Sequence, residues 1–549
     1  MEPLLFTSGK ASLSQDAFID VEVGDISTKY GATNSGSFSS MDTMEAQAIK
    51  AETTRFLEVP QGRHLGVFST VILFVSRIMG SGIFAVPSVI LLNTGGNKLI
   101  YFAIWIFSAM IAFAGLYLFL EFGSWIPKSG GRKNFLEHSF KKPRLLISVV
   151  FSCYSILTGY ALTGSIVFGK YVLSAFGVTD DSWSKYVSIS FIVLAVLIHG
   201  ISVRHGVFIQ NALGGLKLLM IVLMCFAGLY TLIFYKANDQ VAWELPITRT
   251  EQNSLLSVSS IATAFISAFF CFSGWDTVHT VTSEIKNPVK TLKVSGPLSL
   301  VICFVCYTMM NVAYLKVLTY EEIVNAGPLV GSVLFTKLFG PQIGGKFISF
   351  SIAISAASNI LVVIYSVSRV NQEIFKEGYL PFSIHMSKNW PFDAPLPSIS
   401  LCGFITIAWI LILPKEGESF NYLVSMDGYG NQFFLLLVGL GLFVWRSKHK
   451  HETPQIRAPT FGVLAIIVLS LYMLVAPFLA DTSLNRVGFL PPYQIMSLLV
   501  IFACFLFWFI KFFVLPKLYH YKLLPKITYL HDGLVVTEWV KKPYLHTHL

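Results

Sequence analysis

Twelve apolar stretches recur along this chain, most of them near the length of about 20 residues that a helix needs to cross the hydrocarbon of a bilayer. They lie near 65–92, 99–122, 145–176, 186–203, 207–235, 257–284, 296–316, 346–374, 398–413, 420–445, 460–479 and 491–515. Peptide groups in hydrocarbon must find their hydrogen bonds within the segment itself, and a helix does that. The expected fold is therefore an all-α integral membrane protein with twelve transmembrane helices. Composition settles the point against a soluble domain: only 13% of the 549 residues are charged and 54% are hydrophobic, too little charge to cover a water-facing surface.

Residues 1–62 are polar and rich in Ser, Thr, Gly and acids, without the basic start, apolar middle and cleavage site of a signal peptide. They read as a disordered cytosolic tail, followed by a transmembrane domain over 63–515 and a second tail over 516–549. The net charge of +10 does not point to nucleic acid, because the basic residues sit in short connections between apolar runs. Lys128, Arg132, Lys133, Lys141, Lys142 and Arg144 follow the second stretch, while Arg446, Lys448, Lys450 and Arg457 follow the tenth. Lys517, Lys522, Lys526, Lys541 and Lys542 fill the final tail, and the intervening loops hold only scattered ones such as Lys98, Lys415 and Arg486. Positive charge collects on the cytosolic side, so both termini are expected there, and an even number of crossings agrees.

All seven cysteines fall inside apolar stretches and read as small packing residues. Cys303 and Cys306 have helical spacing but no second ligand pair, so no metal and no cofactor is expected.

Two stretches are interrupted in their middles. The first reads VSRIMGSGIFAVPSVI, with Gly80, Ser81 and Gly82 near mid-membrane, and the sixth reads FISAFFCFSGWDTVHTVTSEI, with Ser273 and Gly274 at similar depth. Either alone is weak, since a small-residue helix contact gives the same pattern. Five stretches apart, they match the paired broken helices of an inverted-repeat secondary transporter. Unwinding at Gly80, Ser81 and Gly82 frees N–H groups at a positive helix end, which suits a carboxylate. Unwinding over Phe270 to Trp275 frees carbonyls that suit an ammonium. A zwitterion fits between them.

GSGIF at Gly80 to Phe84, FCFSGWD at Phe270 to Asp276, SEIKNP at Ser283 to Pro288, EFGSWIPKSGG at Glu121 to Gly131, and the SR and EGYLP runs within Ser368 to Pro381 carry a family resemblance. The chain after its N-terminal tail resembles the amino acid, polyamine and organocation transporters, most closely the L-type amino acid branch and within it the fungal methionine permeases. The resemblance implies a five-plus-five inverted repeat with helices 1 and 6 broken, followed by two further helices. It implies a plasma-membrane importer of a neutral amino acid, methionine foremost, by proton symport and alternating access. It also implies substrate carboxylate on the Ser81 and Gly82 amides, substrate amine on the carbonyls of Ile78, Phe270 and Ser273, and the Phe270 ring as an outer gate.

Lys217 lies deep in the fifth stretch, and a lysine in hydrocarbon is a functional candidate by default. Desolvation disfavours its charged form, so it could carry a proton in a cycle; alternatively it is a permanently charged tether capping unwound carbonyls of the first helix. Asp276 is the second proton-coupling candidate and a possible substrate contact, since the animal L-type branch has a neutral Asn there. Otherwise it caps an outer half-helix. His279 reads as a solvated group at an outer helix end, and Asp427 lies within MDGYGNQ of the tenth stretch. Glu121 with the KSGG loop, and Glu284 with Asn287 and Pro288, read as parts of an inner gate and of the helix-to-loop turn; alternatively Asn287 and Pro288 are a simple helix stop. The run GPQIGGK at Gly340 to Lys346 lacks the Ser or Thr of a phosphate-binding loop and reads as chance. The competing functions are an amino acid exchanger and a sensor signalling through the tails; no enzyme is expected, for no nucleophile has its base at helical spacing. The partners expected are an amino acid, protons and the lipid bilayer, with no nucleic acid and no obligate protein partner.

Overall fold

A computed structural model describes residues 66–80, 82–126, 131–178, 180–234, 256–276, 279, 285–392, 394–413, 418–479, 487–530 and 534–543. The expected tail over 1–62 lies outside these residues, as do Ser81 and Glu284. The helices run α1 (Val67–Ile78), α2 (Gly82–Ala85), α3 (Pro87–Asn93), α4 (Lys98–Trp125), α5 (Arg132–Ser139), α6 (Leu146–Leu157), α7 (Leu162–Phe176), α8 (Ser184–Ile201), α9 (Val203–Ile233) and α10 (Val258–Cys271). They continue as α11 (Pro288–Val317), α12 (Tyr320–Ala326), α13 (Val330–Gly340), α14 (Ile348–Lys376), α15 (Ser383–Ser387), α16 (Leu396–Ile412), α17 (Glu418–Lys448), α18 (Thr460–Val475), α19 (Tyr493–Trp508) and α20 (Leu515–Leu518).

Among the described residues, nine helical stretches are long and apolar enough to cross a membrane: Val67–Ala85, Lys98–Trp125, Leu146–Phe176, Ser184–Ile201, Pro288–Val317, Tyr320–Lys376, Phe420–Lys448, Thr460–Phe478 and Tyr493–Leu518. Their starts carry local signals. Asn97 accepts from the amides of Leu99 and Ile100, Ser257 from Ser260, and Thr319 forms a capping box with Glu322.

Three features depart from the sequence reading, and a fourth agrees with it. The third stretch is two helices, because the chain leaves α6 at Thr158 and re-enters helix at Leu162. Side chains of α16 meet the freed groups: the Ala161 amide donates to Thr406 Oγ1 at 3.3 Å and the Gly159 carbonyl accepts from Cys402 Sγ at 3.3 Å. Asn287 and Pro288 begin a helix instead of stopping one, with Asn287 in the left-handed region (φ 45°) and Pro288 in the first turn, where its missing N–H costs nothing. GPQIGGK, read as chance, spans the last residue of α13 and a π-helical stretch, Pro341–Phe347, that leads into α14. Within the expected C-terminal tail, β1 (Tyr521–Tyr529) pairs antiparallel with β2 (Val535–Pro543). This hairpin docks where α14 ends: Trp539 Nε1 donates to the Glu377 carbonyl at 3.0 Å, and the Trp539 ring lies 5.9 Å from both Tyr379 and Phe512.

Glu121 of α4 is a buried brace. At 1% exposure its carboxylate accepts from Arg446 Nε (2.8 Å) and Nη2 (2.5 Å) at the end of α17, and from the Ala458 amide (2.6 Å) before α18. Removing one partner of such a pair leaves a charge stranded, at a cost of about 3–5 kcal/mol. Glu121→Ala should therefore lower the melting temperature of the purified protein by several degrees, with Glu121→Asp less affected; unchanged melting would show the brace to be dispensable.

Candidate functional site

The first break begins where α1 ends at Ile78. Met79 leaves the helix (ψ 84°), the Gly80 amide turns back onto the Ile78 carbonyl at 2.9 Å, and helix resumes at Gly82. The second begins where α10 ends at Cys271. Gly274 has φ +110°, a conformation L side chains rarely adopt, so a glycine is required there for the turn.

These breaks, far apart in sequence, pack against each other. A Cβ placed on Gly82 would lie 2.9 Å from Cys271 Sγ, and one on Gly274 would lie 3.2 Å from the Arg77 carbonyl oxygen. The Tyr307 hydroxyl of α11 reaches both, 3.0 Å from the Ile78 carbonyl and 2.9 Å from that of Cys271. With a single proton it donates to one of them at a time. Its ring is held edge-on by Trp105 at 5.8 Å and Phe272 at 5.2 Å.

The expected acceptors have local donors in this structure. Ile78 O accepts from Gly80 N and Tyr307, while Phe270 O accepts from Ser273 N (3.1 Å) and Ser273 Oγ (2.7 Å). An ammonium binding there displaces a hydroxyl, an exchange of one hydrogen bond for a charge-assisted one. Phe270 is half-buried and Ser273 exposed, whereas Phe272 is fully buried.

Lys217 of α9 is 3% exposed, and its Nζ donates to the Ser76 carbonyl of α1 at 2.9 Å. It thus holds the helix that runs into the first break.

Two expectations need correction. Asp276 does not cap an outer half-helix: its Oδ2 accepts from Arg132 Nη2 at 2.5 Å, and Arg132 belongs to the basic connection after the second stretch. His279 is no solvated group, being 1% exposed with its ring 5.7 Å from Phe119 and 6.1 Å from Phe135. Asp427 of α17 lies one helical turn before Asn431, whose Oδ1 accepts from Arg132 Nη1 at 2.9 Å.

Tyr307, Arg77 and Arg132 were missed. The rule that flags Lys217, a charge inside an apolar stretch, applies equally to Arg77, which attracts Asp276 across the breaks.

Phe270 and Phe272, two positions apart, should fail differently. Phe272→Ala opens a core cavity, costing about 3–5 kcal/mol and lowering the melting temperature. Phe270→Ala should leave melting nearly unchanged while uptake falls. Matching losses of stability in both would argue against Phe270 as a gate.

A model of the amino acid permease family matches residues 65–504. The chain is 89% identical over 545 residues to the low-affinity methionine permease of Saccharomyces cerevisiae, covering 99% of this chain and 100% of that protein. It is 30% identical to the high-affinity methionine permease of the same yeast, over 87% and 84% of the two chains. A serine/threonine exchanger of Bacillus subtilis is 27% identical over 76% and 92%. Among solved structures, the Eremococcus coleocola manganese transporter superposes with a TM-score of 0.51 at 13% identity, covering 82% of this chain and 96% of that one, which is a likeness of fold alone.

Proposed function

The chain belongs to the amino acid permease family, and from that premise we propose that it imports methionine by proton symport and alternating access. Membership makes it a membrane transporter and not an enzyme. Methionine is the substrate because it is named for the relative that shares 89% of the sequence over its full length. In this reading twelve helices cross the plasma membrane with both termini cytosolic, the first ten in two inverted halves.

One observation supports the site above all: the two breaks touch, and one hydroxyl, that of Tyr307, reaches carbonyls of both helices where they end. The substrate carboxylate sits at the amides of Gly80, Ser81 and Gly82, at the start of a helix where the dipole is positive. The ammonium takes the carbonyls of Ile78, Phe270 and Ser273, with Gly274 giving it room. Phe270 covers the ligand. Lys217 is the proton-linked group, because it is buried and touches the carbonyl of Ser76, two residues before Ile78, so its charge state bears on the geometry of the first break. Asp276 is the second candidate; it is ion-paired with Arg132 in the state described here.

A competition panel tests the substrate. Purified protein in liposomes should take up radiolabelled methionine, and unlabelled methionine should compete better than the other common amino acids. Equal competition by serine, threonine or basic amino acids would replace methionine as the substrate.

A further inference from the structure

Arg132 stands first in α5, a short helix fixed on several sides. Lys133 beside it is ion-paired with Glu377 beyond α14. Ser139 at its end packs so closely on α17 that a Cβ on Gly441 would lie 2.9 Å from Ser139 Oγ. Phe135 is buried and stacks on Phe122 of α4 at 4.9 Å. The α5 helix is therefore fixed to α4, to α17 and to the end of α14.

From there the Arg132 guanidinium reaches out with two nitrogens. Nη1 donates to Asn431 of α17 at 2.9 Å, and Nη2 donates to Asp276, five residues past the end of α10, at 2.5 Å. Its carbon lies 5.9 Å from the Phe119 ring centroid. Asn431 and the ring fix the plane of the fork, so Nη2 is aimed at the carboxylate. The side chains of Arg132 and Asp276 are only 15% and 19% exposed, so water screens the pair little. This contact ties the chain just past α10 to α5 and α17, beside the direct packing of α10 on α17, where a Cβ on Gly428 would lie 2.5 Å from Ile266 Cγ2.

A second cation, Arg77 of α1, attracts Asp276 from the first broken helix. Arg77 packs on Gly274, two residues before Asp276. Two cations thus bear on one carboxylate, one from α5 and one from the first broken helix.

We propose that Arg132 is the latch that holds the conformation described here, and that the cycle passes through a state in which Asp276 leaves Arg132 for Arg77. The carboxylate keeps a cation in both states, while the guanidinium it leaves gives up that pairing. Arg132 is a positioning residue: it acts through Asp276 and the backbone beside it. The proposal rests on the transport reading for its place in a cycle, but the latch itself is a statement about conformation.

Spin labels test it without transport. Cysteines replacing the exposed Lys286 and Lys448 carry the labels, and pulsed dipolar distances are read in lipid nanodiscs without substrate. The parent should give one main distance. In Arg132→Gln a second, longer distance should appear, the ratio of the two populations shifting by roughly tenfold. Arg132→Lys should shift it too, since an ammonium cannot hold Asn431 and Asp276 in one planar fork; it serves also if the glutamine variant fails to fold. The double exchange of Arg132→Asp with Asp276→Arg should restore the parent distance. An unchanged distribution in Arg132→Gln and Arg132→Lys, or a double exchange no better than the single variants, overturns the latch. Absence of methionine uptake by the parent would overturn the transport reading and leave the distances to decide the latch.

Discussion

Gly82→Val should abolish uptake, by roughly a hundredfold or more, in a protein that still folds and reaches its membrane. The size of the effect follows from where the new atoms go. Even a Cβ at Gly82 would lie 2.9 Å from Cys271 Sγ and 3.5 Å from Cys271 Cα, inside the contact between the breaks. Valine adds two methyl groups on a stiff side chain. The breaks must separate, and the amides offered to the carboxylate move or are covered; a misplacement of about 1 Å in a positioned site costs about a hundredfold. The penalty to stability is that of local overpacking, about 1–3 kcal/mol, which a large helical protein survives. Gly80→Ala is the control, because a Cβ there meets only Asn359 Nδ2 at an ordinary 3.6 Å. Surface abundance and methionine uptake measured together check both variants. Similar uptake in the two would mean that the contact at Gly82 is no part of the site.

Lys217→Met should end concentrative uptake. Methionine keeps the length of the lysine but loses its charge and its bond to the Ser76 carbonyl, at a site only 3% exposed. Moving one charge inward across about 100 mV is worth about 2.3 kcal/mol, enough for roughly fifty-fold accumulation of a neutral zwitterion. Without a proton-linked group that driving force is not coupled, and uptake reduces to equilibration or vanishes. Lys217→Arg separates the two roles of the lysine. A guanidinium is always charged, so it can tether Ser76 but cannot release a proton. If proton release is the role, the arginine variant should equilibrate methionine without concentrating it; if the tether is the role, it should concentrate normally. Accumulation by the methionine variant with normal proton entry would exclude Lys217, and loss of coupling in Asp276→Asn would then place the proton site there.

The helices were legible because each apolar stretch must satisfy its own peptide groups, and the breaks because glycine and serine at matched depths in two stretches have few other uses. Gly274 bears this out, with a φ that needs glycine. What stayed hidden depends on partners distant in sequence. The interruption at Thr158 to Ala161 is supported by Thr406 and Cys402, more than 240 positions away. Arg132 counts toward orientation as any loop arginine does, and nothing local marks it as the partner of Asp276, 144 positions on. The hairpin at Tyr521–Pro543 is rich in lysine, like a solvated tail, and its docking depends on Trp539 finding Glu377, 162 positions earlier. Arg77 was legible by the charge-in-membrane argument, and the neighbouring glycines drew attention away from it.

Net flux of methionine driven by an imposed proton gradient is the most direct test of transport through the paired breaks. Purified protein is reconstituted into liposomes free of internal amino acid, and the outside is acidified while labelled methionine is supplied. The expected result is transient accumulation above the external concentration, collapsed by a protonophore and absent in Gly82→Val. Uptake that needs an internal amino acid and ignores the proton gradient would contradict symport and make the protein an exchanger.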